Sequence, residues 1–94
     1  MAVNYRGFAS TPQLVWKGTV TPGSITNVTA TKVSVTVPGS TPDMLFVVTA
    51  PALEDNLALG APYCSTAGTV VVPVVNPTAA PIVGAAQSWG ILGL

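Results

Sequence analysis

Seven side chains carry the ionisable chemistry of this chain apart from its tyrosines: Arg6, Lys17, Lys32, Asp43, Glu54, Asp55 and Cys64. There is no histidine. Serine or cysteine nucleophiles activated by an imidazole base are therefore excluded. So are the common histidine-containing zinc sites, which one cysteine cannot replace. No glycine-rich phosphate cradle occurs, and three basic residues are too few to neutralise the backbone of a bound nucleic acid. Paired carboxylates remain, and a glycosidase-like pair is the sharpest reading of Asp43, Glu54 and Asp55. The plainer reading is that Asp43 holds a turn while Glu54 and Asp55 decorate a solvated loop. Nothing near them in sequence would perturb an acid, so the plainer reading is preferred. Cys64 has no neighbouring cation and is expected to be a small buried hydrophobe. No catalytic residue, metal or cofactor is expected, and the chain is not expected to be an enzyme. Asn27-Val28-Thr29 matches a glycosylation acceptor without an export signal to support it. Asn76-Pro77-Thr78 is disqualified by its proline.

The residues left over are suited to contact. Trp16 and Trp89 are candidate core or interface anchors, with sugar stacking as the other use of an indole. Tyr5, Arg6 and Phe8 form an aromatic–basic–aromatic cluster of residue types enriched at interface hot spots. They are the candidate docking residues of an N-terminal arm; the alternative is a frayed terminus.

These side chains must be positioned by short strands. Val, Thr and Ile supply 30 of the 94 residues, and β-branched residues suit pleated, half-buried surfaces. Nine Gly and nine Pro punctuate the chain into strands and turns. The expected fold is all-β: a small antiparallel β-sandwich or barrel of six to seven short strands, with an extended arm over 1–12 and one β domain over 13–94. Residues 13–21 read as a first strand, with Leu14, Trp16, Gly18 and Val20 on one side. Pro22-Gly23-Ser24 reads as a turn. Val33, Val35 and Val37 alternate with Lys32, Ser34 and Thr36, the period of a half-buried strand. Met44 to Thr49 is apolar on both sides, which predicts two covered faces. Pro51 is placed to start one helical turn over Ala52 to Asn56. A broken strand over 57–64 precedes a strongly β stretch from Thr69 to Val75. Pro73 within that stretch predicts an edge strand or a bulge. The final strand carries Ile91, Leu92 and Leu94, candidates for edge-strand pairing with a neighbour.

Composition adds a surface argument. Hydrophobic residues make up 49% of the chain and charged ones 6%, with zero formal net charge. Soluble domains are about 25% charged, and a neutral apolar surface favours association. The chain is therefore expected to cover part of itself with copies of itself or with a larger assembly. No apolar run approaches the ~20 residues of a spanning helix, so no membrane partner is expected. Asn4, Tyr5 and Arg6 stand where a signal segment would begin, so export by such a peptide is not expected.

From Val33 onward the order of turns and strands resembles a β module of small virion structural proteins of tailed phages, often of the head-decoration or cement type. The matching residues are Val35-Thr36-Val37, Gly39, Asp43, Leu45, Val47, Pro51, Tyr63, Ser65, Thr69-Val70, Val72, Asn76, Thr78 and Ile82. Cys64 and Pro73 depart from the pattern. The resemblance implies a decoration protein on the outer surface of a phage head. Its partners would be copies of itself, as a homotrimer, and the major capsid protein. Fibre, neck or tail proteins and receptor- or carbohydrate-binding β modules are the alternatives.

Overall fold

The computed structural model describes residues 14–94. The expected arm, with Tyr5, Arg6 and Phe8, lies outside the described residues. Within them the chain forms nine strands and no helix. In order these are β1 (Leu14–Val20), β2 (Gly23–Ile25), β3 (Thr29–Thr36), β4 (Phe46–Thr49), β5 (Ala58–Leu59), β6 (Tyr63–Thr66), β7 (Thr69–Asn76), β8 (Ile82–Gly84) and β9 (Gln87–Gly93). All pairings are antiparallel. One sheet has the order β1-β9-β4, and β2 and β8 form a two-stranded ribbon. The other sheet pairs β3 with β7, and β5 and β6 follow one another along the far side of β7.

Nine strands appear instead of six or seven for two local reasons. Gly23, at φ 79, turns the chain after buried Pro22, and Gly23, Ser24 and Ile25 pair with β8. The broken strand expected over 57–64 is fully divided by Gly60-Ala61-Pro62 into β5 and β6. That division also corrects the reading of Pro73. β7 is the centre of its sheet, flanked by β3 and by β5 and β6. Pro73 pairs with Lys32 on one side and faces the break between β5 and β6 on the other. The irregularity a proline demands is thus carried by the neighbouring strand. Gly60 closes the gap by donating its N–H to the Pro73 carbonyl at 2.7 Å. A Cβ at Gly60 would lie 3.0 Å from the Pro73 ring.

The two larger sheets bury one face each. Val33, Val35 and Val37 point inward while Lys32, Ser34 and Thr36 face solvent, as the alternation predicts. Val70, Val72 and Val74 of β7 are fully buried beside them. Val20, Trp89 and Ile91 are their buried counterparts in the β1-β9-β4 sheet, with Leu14, Trp16, Phe46 and Val48 packed around them. The predicted helical turn after Pro51 is absent. Two separate turns replace it, closed by Leu53 N–H to Ala50 O at 3.0 Å and Leu57 N–H to Glu54 O at 3.2 Å. Asn56 ends the second at φ 72, a left-handed conformation that asparagine tolerates.

Candidate interaction surface

Two of the three acids, Glu54 and Asp43, are engaged in local hydrogen bonds. Glu54 accepts the Ala85 backbone N–H at 2.8 Å and the Gln87 amide at 3.0 Å. Gln87 in turn accepts the Trp89 indole N–H at 2.9 Å and donates to Ala85 O at 3.0 Å. The loop after β4 is thereby tied to the start of β9. The Ala85 N–H, and then the Gln87 amide, hold the Glu54 carboxyl below its ordinary pKa. Asp43 is exposed and accepts the Thr41 hydroxyl at 2.5 Å, and this bond is the main cause that lowers its pKa. No group of three or more potential metal ligands occurs among the described residues.

A pH dependence follows. A depressed folded pKa contributes stability that is present above the unfolded value and lost as pH falls through the folded one. Thermal stability is therefore expected to be level between about pH 6 and 8 and to decline as pH drops below roughly 4.3. Glu54→Gln is expected to flatten part of that decline, read as the melting temperature across the acid range. An unchanged acid slope would remove Glu54 from this role.

Cys64 is 4% exposed, with its Sγ 3.1 Å from Thr66 O and 3.8 Å from the Ser40 hydroxyl. Trp89 is 1% exposed. It is a core anchor, because β9 is the middle strand and Trp89 lies on its inward side. Trp16 is half-buried. A Cβ at Gly18 would lie 2.5 Å from the Trp16 indole, so this glycine makes room for the ring. Trp16 also lines a groove of about 310 Å³ with Thr19, Thr21, Ser34 and Thr36. The groove runs between β1 and β3.

The final strand is not an edge. β9 is paired to β1 by Ile91 with Trp16 and Leu92 with Val15, and to β4 by Ile91 with Val48 and Leu92 with Val47. Leu94 exchanges two backbone hydrogen bonds with Leu45, at 2.8 and 3.2 Å. Ile91, Leu92 and Leu94 therefore have no free ladder to offer a neighbour. Ile91 is fully buried. The edges of this sheet are β1 and β4, and β3 is an edge of the other. Lys17 and Lys32 stand in the middle of β1 and β3, where a lysine discourages unspecific strand addition.

The prediction that Met44 to Thr49 has two covered faces also needs correction. Phe46 and Val48 point to the core, but Leu45 is 72% and Val47 49% exposed. The register places their outward neighbours in rows. Val15, Leu92 and Val47 form one cross-strand row, and Leu94 and Leu45 lie beside it. Val15 is 61% exposed, Leu92 37% and Leu94 38%. Five apolar side chains thus form a continuous patch on the outer face. Sequence reading missed it because an apolar outward row looks the same as an inward one until the layers are known.

Val28, 70% exposed, is the second feature that the sequence conceals. It sits at φ 54, a left-handed conformation that costs an ordinary residue about 1–2 kcal/mol. A β-branched side chain there is an outlier, and its backbone N–H is fixed to Thr78 O at 3.1 Å. Val28→Asn is expected to raise stability by about 0.5–1 kcal/mol in denaturant unfolding. A destabilised variant would show that the valine side chain has a packing role.

Comparison of the chain with family models, with curated proteins and with solved structures returned no match.

Proposed function

We propose that this protein is a structural component that acts by fitting against other surfaces, as a decoration or cement protein on an assembled phage head. The observation that carries the reading is the outward-facing apolar set. Val15, Val28, Leu45, Val47, Tyr63, Val83, Leu92 and Leu94 remain exposed, while Glu54 and Asp43 are engaged in local hydrogen bonds. Large exposed apolar groups in contiguous patches mark interaction sites. The resemblance from Val33 onward supplies the phage context, the outer head surface and the major capsid protein as partner. A protein that binds the assembled shell and not free subunits stabilises the shell by mass action.

The strained Val28 supports the same reading, since strain retained at an exposed residue suggests a use for that residue. Particles heated with and without the protein provide the test. Decorated particles are expected to rupture at higher temperature, and the Val28→Asn chain is expected to bind them less well despite its greater stability. Equal rupture temperatures with full occupancy would sink cementing, and absence of binding would sink the head location. One observation favours a carbohydrate-binding reading instead: the groove lined by Trp16 carries the hydroxyl residues Thr19, Thr21, Ser34 and Thr36 beside Val20, Val33 and Val35. Glycan binding abolished by Trp16→Ala would select that reading.

A further inference from the structure

We infer that the outer face of the β1-β9-β4 sheet is a self-complementary surface that pairs with the same face of a second copy about a two-fold axis. The pairing stands on the face alone and not on the particle role proposed above.

Shape gives the first argument. Next to the apolar row lies the outward row Lys17, Gly90 and Thr49. Gly90 contributes no side chain, the Thr49 hydroxyl leans to within 2.9 Å of where its Cβ would stand, and a hollow of about 300 Å³ opens beside them, lined also by Pro51 and Ser88. On the other side of the apolar row stands Leu45, the most exposed large hydrophobic side chain among the described residues. Knob and hollow flank the Leu92–Val47 row. A two-fold axis lying in the interface and passing near that row exchanges the two ends. Each Leu45 then enters the partner's hollow beside Gly90 and Pro51, and the strands of the two sheets run roughly antiparallel, as in aligned sheet packing. A two-fold contact of this kind is closed and does not propagate.

Charge gives the second argument. Lys17 is the only charged residue of this sheet, and it lies beside the hollow. Asp43 lies two residues before Leu45. The operation that seats Leu45 brings each Lys17 toward the Asp43 end of its partner. Opposite charges then meet at the rim around an apolar centre, the usual anatomy of an interface.

Area limits the strength of the pairing. Two strands of seven residues and one of four, about 4.8 Å apart and rising about 3.4 Å per residue, make a face of at most roughly 14 by 24 Å before side-chain relief. That is smaller than the about 600 Å² a side of weak specific interfaces. A weak dimer, with a dissociation constant of tens of micromolar, is expected.

Sedimentation equilibrium on the full chain tests this, with circular dichroism melting as the folding control. The wild type is expected to shift from monomer to dimer across about 1–100 µM. Leu45→Asp, at an exposed position, is expected to melt normally and to weaken the dimer at least about 30-fold. Lys17→Asp and Asp43→Lys are each expected to weaken it, and the double charge reversal to restore it. A dimer indifferent to Leu45→Asp overturns the pairing. So does a trimer, the arrangement implied by the resemblance. A wild type monomeric at about 100 µM also overturns it; a dimer then appearing on removal of residues 1–12 would assign the face to the chain's own N-terminal segment.

Discussion

Trp89→Ala is expected to lower the stability of the domain by about 3–5 kcal/mol, the range for removing a buried large aromatic side chain. For a domain of this size that is a drop in melting temperature on the order of 20 °C. Trp89 is 1% exposed in the middle strand of its sheet, and it belongs to one buried cluster with the valines of β3 and β7. The loss has two parts that a second variant separates. Trp89→Phe retains much of the apolar volume but removes the indole N–H that Gln87 accepts at 2.9 Å. Gln87 is itself 7% exposed, so an acceptor is left without its donor at a cost of about 1–3 kcal/mol. Urea denaturation of both variants is expected to rank wild type above Trp89→Phe above Trp89→Ala. An alanine variant within about 1 kcal/mol of wild type would mean that the indole is not a core element. The same burial rules out sugar stacking on Trp89, so any glycan site must use the half-buried Trp16.

The parts of the fold legible from sequence are those set by local pattern. The alternation through Val33, Val35 and Val37 names both the strand and its inward face, because the side-chain period of a strand is two. Turns at Pro38-Gly39 and Ala67-Gly68 are equally local. What failed was decided by long-range pairing. Whether a strand is an edge or a centre depends on which partners arrive beside it, and nothing within Gln87 to Leu94 records that β1 and β4 close on it from both sides. Pro73 pointed to an edge for the same reason, since a local rule cannot know that a neighbouring strand will break opposite it. The interaction surface was illegible in a different way. Leu45 and Val47 are as apolar as Phe46 and Val48, and only the presence of one covering layer where two were expected distinguishes them. Composition bears on that face all the same: so few charges cannot dress the outer faces of two sheets.

Asn76 is the residue whose importance the sequence pattern registered without explaining. Its side chain is fully buried, and every hydrogen-bonding position of its amide is used. The amide nitrogen donates to Ile25 O at 3.0 Å and Ala80 O at 2.9 Å. Its oxygen accepts the Thr78 N–H at 3.0 Å and the Thr78 hydroxyl at 2.7 Å. The end of β7, the end of β2 and the loop leading to β8 are thus held by one side chain. Asn76→Ala is expected to cost about 2–4 kcal/mol, because several buried partners lose their bonds together. Asn76→Asp separates hydrogen bonding from packing, since the shape is kept. The new carboxylate can accept from Thr78 but, when ionised, cannot donate to the carbonyls of Ile25 and Ala80. Burial against two carbonyl oxygens raises its folded pKa. A raised value means that stability is retained below the unfolded pKa and lost as pH rises through the folded one. The deficit of Asn76→Asp relative to wild type is therefore expected to be larger at pH 7 than near pH 4, opposite in sign to the acid dependence assigned to Glu54. Unfolding free energies at the two pH values decide the matter. A deficit equal at both would show that the donors of Asn76 are dispensable.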